Sequence, residues 1–113
     1  MSEIHERHLC EPYFSLIKNG EKTVEGRLNK GSNKKVNIGD YFKFYNDNGE
    51  EFLVKIYDIK KFPSFKSMLE RYIKEALPGI EDINDGIAVY RRFYSEEDEN
   101  EYSVNAFILS LEC

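Results

Sequence analysis

The sequence predicts one α+β domain over residues 1–113, with a small, partly closed and mostly antiparallel sheet of about five strands and about three helices. Its 113 residues are the usual length of a single domain and leave no room for a second one. Segments with the alternating period of strands and segments with the helical period both occur. They do not follow one another as strand–helix–strand units, which favours an α+β arrangement over a parallel sheet.

Five segments have the composition or the alternation of β-strands. Asn48-Gly49 predicts a tight hairpin turn between two aromatic segments, because both residues tolerate positive φ angles. The last segment is apolar at successive positions, which predicts a strand buried on both faces in the interior of the sheet. The five segments are residues 5–9, 22–28, 41–45, 51–57 and 104–111.

Three segments are typical of helices. Pro12 and Gly20 suit the two ends of a helix of about two turns. Ser64 is a natural N-cap for a second helix, which a Pro-Gly pair ends. A third helix is expected over residues 80–94, where apolar side chains recur at helical spacing. The acidic segment that follows, residues 96–101, is expected to be a solvated loop.

The composition excludes several classes of protein. The chain is 41% apolar and 14% aromatic, which is too hydrophobic for intrinsic disorder. No apolar run approaches the roughly 18 residues of a membrane span, and the first residues lack the apolar core of a secretory signal. Cys10 and Cys113 stand at opposite ends of the sequence, which indicates neither a disulfide framework nor a zinc motif. We therefore expect a cytoplasmic protein without a membrane partner.

The charges are distributed unevenly along the chain. Asp and Glu number 21 against 16 Lys and Arg, and five of these acids fall within residues 96–101. Outside that segment the acids and the bases balance at 16 each. Residues 18–43 carry seven bases and three acids, so an acidic protein has one basic region.

Familiar cofactor and hydrolase motifs are absent from the sequence. Residues 26–32 (GRLNKGS) begin like a phosphate-binding loop, but no Lys follows Gly31 and no helix is predicted after it. His5 and His8 would point to opposite faces of a strand, and neither has a carboxylate or cysteine partner at ligand spacing. The sequence therefore predicts neither a metal ion nor a cofactor.

The second predicted strand carries the strongest candidate site. Thr23, Glu25 and Arg27 alternate along it and share one face, and Lys22 at its start can turn toward the same face. Gly26 leaves the opposite face bare, which suits close packing or an approaching ligand. The simpler interpretation is a solvated strand face, whose Glu–Arg pair would be worth at most about 1 kcal/mol.

The loop that follows this strand is basic. Lys30, Lys34 and Lys35 occur in it without an acid. Clustered lysines bind the phosphate groups of nucleic acids, so these three are candidates for a rim that contacts phosphate. The strand and the loop together favour an anionic ligand.

The sequence around the strand resembles the signature of ASCH domains, a small branch of the PUA-like superfamily. The matching stretch runs from Pro12 to Arg27 and reads P-Y-F-x-L-I-x-x-G-x-K-T-V-E-x-R. Similar features continue at residues 38–40, 62–65 and 90–95, so the resemblance covers nearly the whole chain. It implies a PUA-like open β-barrel with flanking helices, and a cleft that takes RNA or nucleotide-like ligands.

The sequence also resembles one bacterial branch of small ASCH proteins, the N4-acetylcytidine amidohydrolases, and this resemblance implies an activity. Those enzymes release acetate with a Lys, a Thr and a Glu. On the shared stretch their Lys matches Lys22 and a supporting Arg matches Arg27, but their nucleophilic Thr falls on Glu25. The resemblance therefore does not extend to a covalent Thr mechanism. Glu75 and Glu81 are the candidates for their Glu.

Three functions follow as hypotheses. The leading one is a module that binds RNA or a nucleotide-like ligand in a cleft lined by Lys22, Glu25 and Arg27. The alternative is a small hydrolase acting on acylated cytidine or on RNA. In that case Glu25 would be the general base, and Lys22 or Arg27 would stabilise the oxyanion. The third is a protein–protein adaptor that uses the acidic segment at 96–101.

Overall fold

The structure, a computed structural model, describes residues 2–111, so Cys113 lies outside the described residues. The five predicted strands are present and form one mixed sheet. The three predicted helices are present too, with a short 3-10 helix and one further α-helix. In chain order the elements are β1 (Ile4–His8), α1 (Tyr13–Lys18), β2 (Val24–Leu28), the 3-10 helix (Gly31–Lys35), β3 (Tyr41–Tyr45), β4 (Glu51–Phe62), α2 (Phe65–Ala76), α3 (Ile83–Arg91), α4 (Glu96–Tyr102) and β5 (Val104–Leu111).

The strand order in the sheet is β1-β3-β4-β5-β2. β1 runs parallel to β3, and the other neighbouring pairs are antiparallel. β5 lies between β4 and β2, which confirms the interior position predicted from its apolar run. β4 continues past its predicted end to Phe62, because a bulge between Ile56 and Asp58 bends the strand and lets it pair along the whole of β5.

The sheet is curled into a half-barrel, which brings its two edge strands toward each other. Nη2 of Arg27 on β2 donates a hydrogen bond of 3.0 Å to the carbonyl oxygen of His8 on β1. The described sheet has no backbone pairing between these two strands. The gap between them is the opening in which the candidate site lies.

Two apolar clusters hold the sheet in place. The first fills the interior of the half-barrel and includes Phe42, Phe44 and Phe107. The second lies between the outer face of the sheet and the helices and includes Phe65 and Met68. Burial of one such side chain contributes about 1.5–3 kcal/mol. Packing therefore anchors both faces of β5 and the face of β2 that is turned toward the helices.

The predicted caps explain where the helices begin. Ser64 is the N-cap of α2, as predicted, and its hydroxyl accepts from the backbone N–H of Ser67 at 3.1 Å. α3 is shorter than the predicted span of 80–94. It begins after Asp82, whose carboxylate accepts from the N–H groups two and three residues later, and it ends before Arg92. Among residues 2–111, the helices are all too short or too polar to cross a membrane.

The acidic segment at 96–101 was expected to be a solvated loop, and that expectation is wrong. It forms most of α4, which Ser95 caps, and four of its five acids occupy the first turn, at the positive end of the helix dipole. Glu99 is buried, and its carboxylate accepts from the backbone N–H of Phe65 and from the guanidinium of Arg91. One acid of the run therefore joins three helices, because α2, α3 and α4 meet at this carboxylate.

Candidate functional site

A cleft of about 160 Å³ opens at the gap between the two edge strands. Its walls come from β2, from the end of β1 with the loop after it, from α1 and from the C-terminal end of α3. Pockets for drug-sized molecules usually measure about 300–1,000 Å³, so this cleft suits a small compound or one ring of a larger ligand. Two cations and one carboxylate line it: Lys22, Arg27 and Glu25.

These three charged residues form a continuous chain in the wall of the cleft. Nζ of Lys22 lies 3.3 Å from Oε1 of Glu25, and Nε of Arg27 donates to Oε2 of Glu25 at 3.0 Å. Glu25 is only 7% exposed, so the two cations hold its carboxylate in one orientation away from bulk water. The structure brings the three predicted charges together in a concave site.

Lys22 is deeply buried, with 2% of its surface exposed. Its Nζ also donates to the carbonyl oxygens of Val24 and Ala76, at 2.7 and 2.5 Å. The three N–H groups of the ammonium therefore face three acceptors. Burial lowers the pKa of Lys22, and the negative charge of Glu25 opposes that change. In this geometry Lys22 positions Glu25.

Arg7, which the sequence interpretation missed, extends the positive charge of Arg27. Burial lowers the pKa of Arg7, and the nearby charge of Arg27 lowers it further. Its guanidinium donates to Ser32 and Asn33 of the 3-10 helix, at 3.0 Å and at 2.9–3.0 Å. No local signal pointed to Arg7, because its place follows from the parallel pairing of β1 with β3.

Aromatic rings also line the cleft, and that of Tyr13 has its centroid 5.9 Å from Nζ of Lys22. Tyr13, Phe93 and Tyr94 line it, and Phe93 is 48% exposed with its ring edge-on to that of Tyr13 at 6.3 Å. Arg92 stands beside them: its guanidinium lies 5.6 Å from the Phe93 centroid. Burial raises the pKa of Tyr13, and the charge of Arg92 lowers it. The mixture of rings and bases at 90–94 was the sequence signal, but the end of a helix explained it equally well.

Gly26 and Tyr90 meet at the floor of the cleft. A Cβ on Gly26 would lie 2.8 Å from Sδ of Met68 and 3.3 Å from the Tyr90 hydroxyl, so the bare face of this glycine is used for close packing. The Tyr90 hydroxyl is buried, and no hydrogen-bond partner for it occurs within residues 2–111. Both residues line the cleft.

Thr23 is not among the residues that line the cleft. Its backbone N–H donates to the carbonyl of Glu75, and its carbonyl accepts from the N–H of Leu109, which fixes the start of β2. Its side chain lines a separate shallow groove. Glu75 and Glu81 also lie outside the lining of the cleft.

The three lysines of the basic loop lie on or next to the 3-10 helix, outside the lining of the cleft. The ammonium groups of Lys30 and Lys34 are 5.0 and 5.9 Å from the ring centroid of Tyr102 on α4. Lys35 is exposed. Because Arg7 bonds the same 3-10 helix, it links the positive charge of these lysines to that of Arg27.

One group of side chains with metal-ligating atoms occurs among residues 2–111, namely Glu3, His5 and Asp40, with those atoms within 4.8 Å of one another. No carboxylate stands at ligand spacing from His5 in the sequence, but the fold brings Oδ2 of Asp40, 35 positions away, to 2.9 Å from Nε2 of His5. Asp40 also accepts from the backbone N–H groups of Glu3 and Asn37. These hydrogen bonds tie the start of β1 to the turn before β3.

The arrangement of the cleft permits two kinds of chemistry. An ionised carboxylate has about four sites that accept hydrogen bonds, and the contacts of Lys22 and Arg27 occupy two of those of Glu25. The free sites can accept from an N–H group of a ligand, or they can take a proton from water. The rings that line the cleft can stack against a flat ligand.

Comparison with known proteins places the chain in a family. Residues 8–111 match the ASCH domain. The chain is similar to the crystal structure of hypothetical protein PH0355, with 38% identity, a TM-score of 0.87 and coverage of 97% of this chain and 99% of that one. It is similar to the solution NMR structure of protein PF0455 from Pyrococcus furiosus, at 37% identity, a TM-score of 0.78 and 96% coverage of each chain.

A more distant likeness shows the fold alone. The crystal structure of an ASCH domain from Lactobacillus crispatus JV V101 has 16% identity and a TM-score of 0.73, and the similarity covers 97% of this chain and 79% of that one. None of the curated proteins matches the chain.

Proposed function

The chain belongs to the ASCH domain family, and from that premise we propose that it binds RNA or a nucleotide-like ligand in the cleft lined by Lys22, Glu25 and Arg27. One observation carries the proposal: the buried Glu25 carboxylate is held between two cations in the wall of a ring-lined cleft. A carboxylate that water cannot reach freely, and that keeps unused acceptor sites, is suited to an N–H group of a ligand.

The base of the ligand would lie between Glu25 and the rings. Nucleobases stack on aromatic side chains, and each such contact is worth about 1–3 kcal/mol. Phe93 is the most exposed ring of the wall and presents a surface for stacking. Glu25 would accept a hydrogen bond from the exocyclic amino group of the base.

A phosphate would lie toward the arginines. Arg27 lines the cleft and Arg92 lies beside the ring of Phe93, which also lines it. Guanidinium groups bind phosphate through two parallel hydrogen bonds. A longer RNA would pass from Arg27 over Arg7 to the loop lysines Lys34 and Lys35. This path would make RNA affinity depend on salt, because each phosphate that is neutralised releases counterions.

Calorimetric titration with cytidine, adenosine and a short single-stranded RNA tests the proposal. Glu25→Gln keeps the shape of the side chain and removes its charge, so we expect at least a tenfold loss of affinity for every ligand that the wild type binds. Glu81→Gln is the matched control, because Glu81 is exposed and lies outside the cleft, and its affinity should equal that of the wild type. Failure of the wild type to bind any of the three ligands would overturn the proposal.

Two further measurements test the basic loop and the possibility of catalysis separately. Lys34→Glu combined with Lys35→Glu should weaken RNA binding and reduce its dependence on salt, while nucleoside binding stays unchanged. Free acetate from N4-acetylcytidine, or shortened RNA strands, would be followed in parallel. Product that forms with the wild type and not with Glu25→Gln would establish a hydrolase in the same cleft and replace the binding module.

A further inference from the structure

The Tyr90 hydroxyl has no role in the packing of its own side chain. The ring of Tyr90 stacks on that of Phe65 with centroids 4.3 Å apart and planes 10° from parallel, and a phenylalanine could make the same contact. Tyr90 is 5% exposed, yet none of the described residues offers its hydroxyl a hydrogen-bond partner. A buried hydroxyl without a partner costs free energy, so its presence calls for a partner outside the protein.

Tyr90 and Glu25 both line the cleft, on either side of Gly26. Tyr90 lines the cleft, and its oxygen lies 3.3 Å from the place that a Cβ of Gly26 would occupy. Burial raises the pKa of Tyr90 well above its usual value, and the negative charge of Glu25 raises it further. The hydroxyl therefore stays protonated at neutral pH and can donate a hydrogen bond.

Two residues of opposite hydrogen-bonding character thus line the same small cleft. Glu25, when ionised, only accepts hydrogen bonds, whereas the Tyr90 hydroxyl can donate one. A ligand that satisfies both must present a donor next to an acceptor on one edge of a ring. Guanine and uracil meet this requirement with a ring N–H beside a carbonyl oxygen. Where Glu25 binds an exocyclic amino group, as proposed above, the Watson–Crick edges that fit are N4 with N3 of cytosine and N6 with N1 of adenine.

We propose that the Tyr90 hydroxyl donates a hydrogen bond to the ring nitrogen of an amino-bearing nucleobase whose amino group is bound by Glu25, a proposal that rests on the proposed function. It assigns the ligand to the cytosine and adenine class. It also makes Tyr90 a recognition residue.

The first test measures stability without any ligand. Tyr90→Phe removes one oxygen and keeps the stacked ring, so its urea midpoint should equal or exceed that of the wild type. Tyr57→Phe is the matched control, because Tyr57 is exposed on the sheet and its midpoint should not change. A lower midpoint for Tyr90→Phe alone would show that the hydroxyl is bonded within the protein, and it would overturn the proposal.

The second test pairs the protein oxygen with the ligand nitrogen. Cytidine is compared with 3-deazacytidine, and adenosine with 1-deazaadenosine, since each analogue carries C–H in place of the ring nitrogen. The wild type should bind the natural nucleoside about five- to tenfold more tightly than its analogue. Tyr90→Phe should bind both members of the pair with equal affinity, while Tyr57→Phe keeps the wild-type preference.

The outcomes separate the two proposals. Binding of a nucleoside by both the wild type and Tyr90→Phe with the same preference over the deaza analogue would overturn the role of Tyr90 and leave the proposed function standing. No binding of any nucleoside or RNA by the wild type would overturn the proposed function, and the role of Tyr90 with it.

Discussion

The ion pair between Lys22 and Glu25 should show strong energetic coupling when both residues are changed. Breaking one side of a buried ion pair costs about 3–5 kcal/mol, because the remaining charge stays buried without its partner. Glu25→Gln should lie near the lower value, since the Lys22 ammonium keeps the carbonyls of Val24 and Ala76 as acceptors. Lys22→Met should cost more, because it removes three hydrogen-bond donors at once.

The double variant separates the pair from the rest of the site. Once one partner is gone, removal of the other loses no further attraction between them. Lys22→Met with Glu25→Gln should therefore cost at least about 1 kcal/mol less than the sum of the two single losses. Urea unfolding followed by circular dichroism at pH 7 gives all four free energies. A natural domain has about 5–15 kcal/mol of stability, so the single variants should still fold.

The pH dependence of the free energy of unfolding gives a second test of the coupling between Lys22 and Glu25. The pKa of Lys22 in the folded protein is below its usual 10.5, so the unfolded chain binds more protons in the alkaline range. Stability therefore rises with pH there, and the rise should be larger in Glu25→Gln, where no anion opposes the loss of the proton. Lys22→Met has no ammonium group at this position, so its stability should not show this rise with pH. Additive losses within about 0.5 kcal/mol, or an identical pH profile for all variants, would refute the coupling.

Three further substitutions test one packing contact in the cleft, at Gly26, and two buried carboxylates elsewhere in the fold, Glu99 and Asp40. Gly26→Ala should lower the free energy of unfolding in urea by about 1–2 kcal/mol, because the new Cβ would press on the mobile end of Met68. An equal loss in a Met68→Ala background would contradict this contact. Glu99→Gln should cost about 2 kcal/mol in the same measurement, since two donors lose a charged acceptor, while the exposed Glu97→Gln control should be neutral. Burial alone would raise the pKa of Asp40, but hydrogen bonds from a histidine and two backbone N–H groups hold it below 3.8. The resulting stabilisation is present above pH 3.8 and is lost as the pH falls through the lowered pKa of Asp40. Asp40→Asn should therefore destabilise at pH 7, and its difference in free energy of unfolding from the wild type should shrink as the pH falls below 3.8.

Signals contained in a few neighbouring residues predicted the fold well. The turn at Asn48-Gly49 and the cap at Ser64 depend only on adjacent positions, so their physical cause is complete in a short window. The same reason applies to part of the candidate site. Alternation along a strand predicted that Glu25 and Arg27 share a face, and their side chains are in contact.

Features that depend on tertiary packing were not predictable in this way. Asp40 meets His5 across 35 positions through the parallel pairing of β1 and β3. Glu99 is one acid in a run of acids, and only its position between α2 and α3 distinguishes it from its solvated neighbours. Tyr90 has the spacing of an ordinary core residue, so its unpartnered hydroxyl appears only once α3 is packed against β2 at Gly26.

The charged groups of the cleft are held in place by hydrogen bonds within the protein. Residues that order the cleft can therefore be distinguished from residues that contact the ligand. The N–H groups of Lys22 have acceptors, and Arg27 is fixed by Glu25 and by a backbone carbonyl of β1. A ligand is thereby spared about 0.5–1.5 kcal/mol for each long side chain that it would otherwise immobilise. Unused capacity remains on Glu25, on the Tyr90 hydroxyl, on the face of Phe93 and on the other N–H groups of Arg27. Substitution of Lys22 should therefore weaken all ligands alike, whereas Tyr90→Phe should change the ratio of their dissociation constants. Equal losses for a nucleoside and for its deaza analogue in Tyr90→Phe would contradict this distinction.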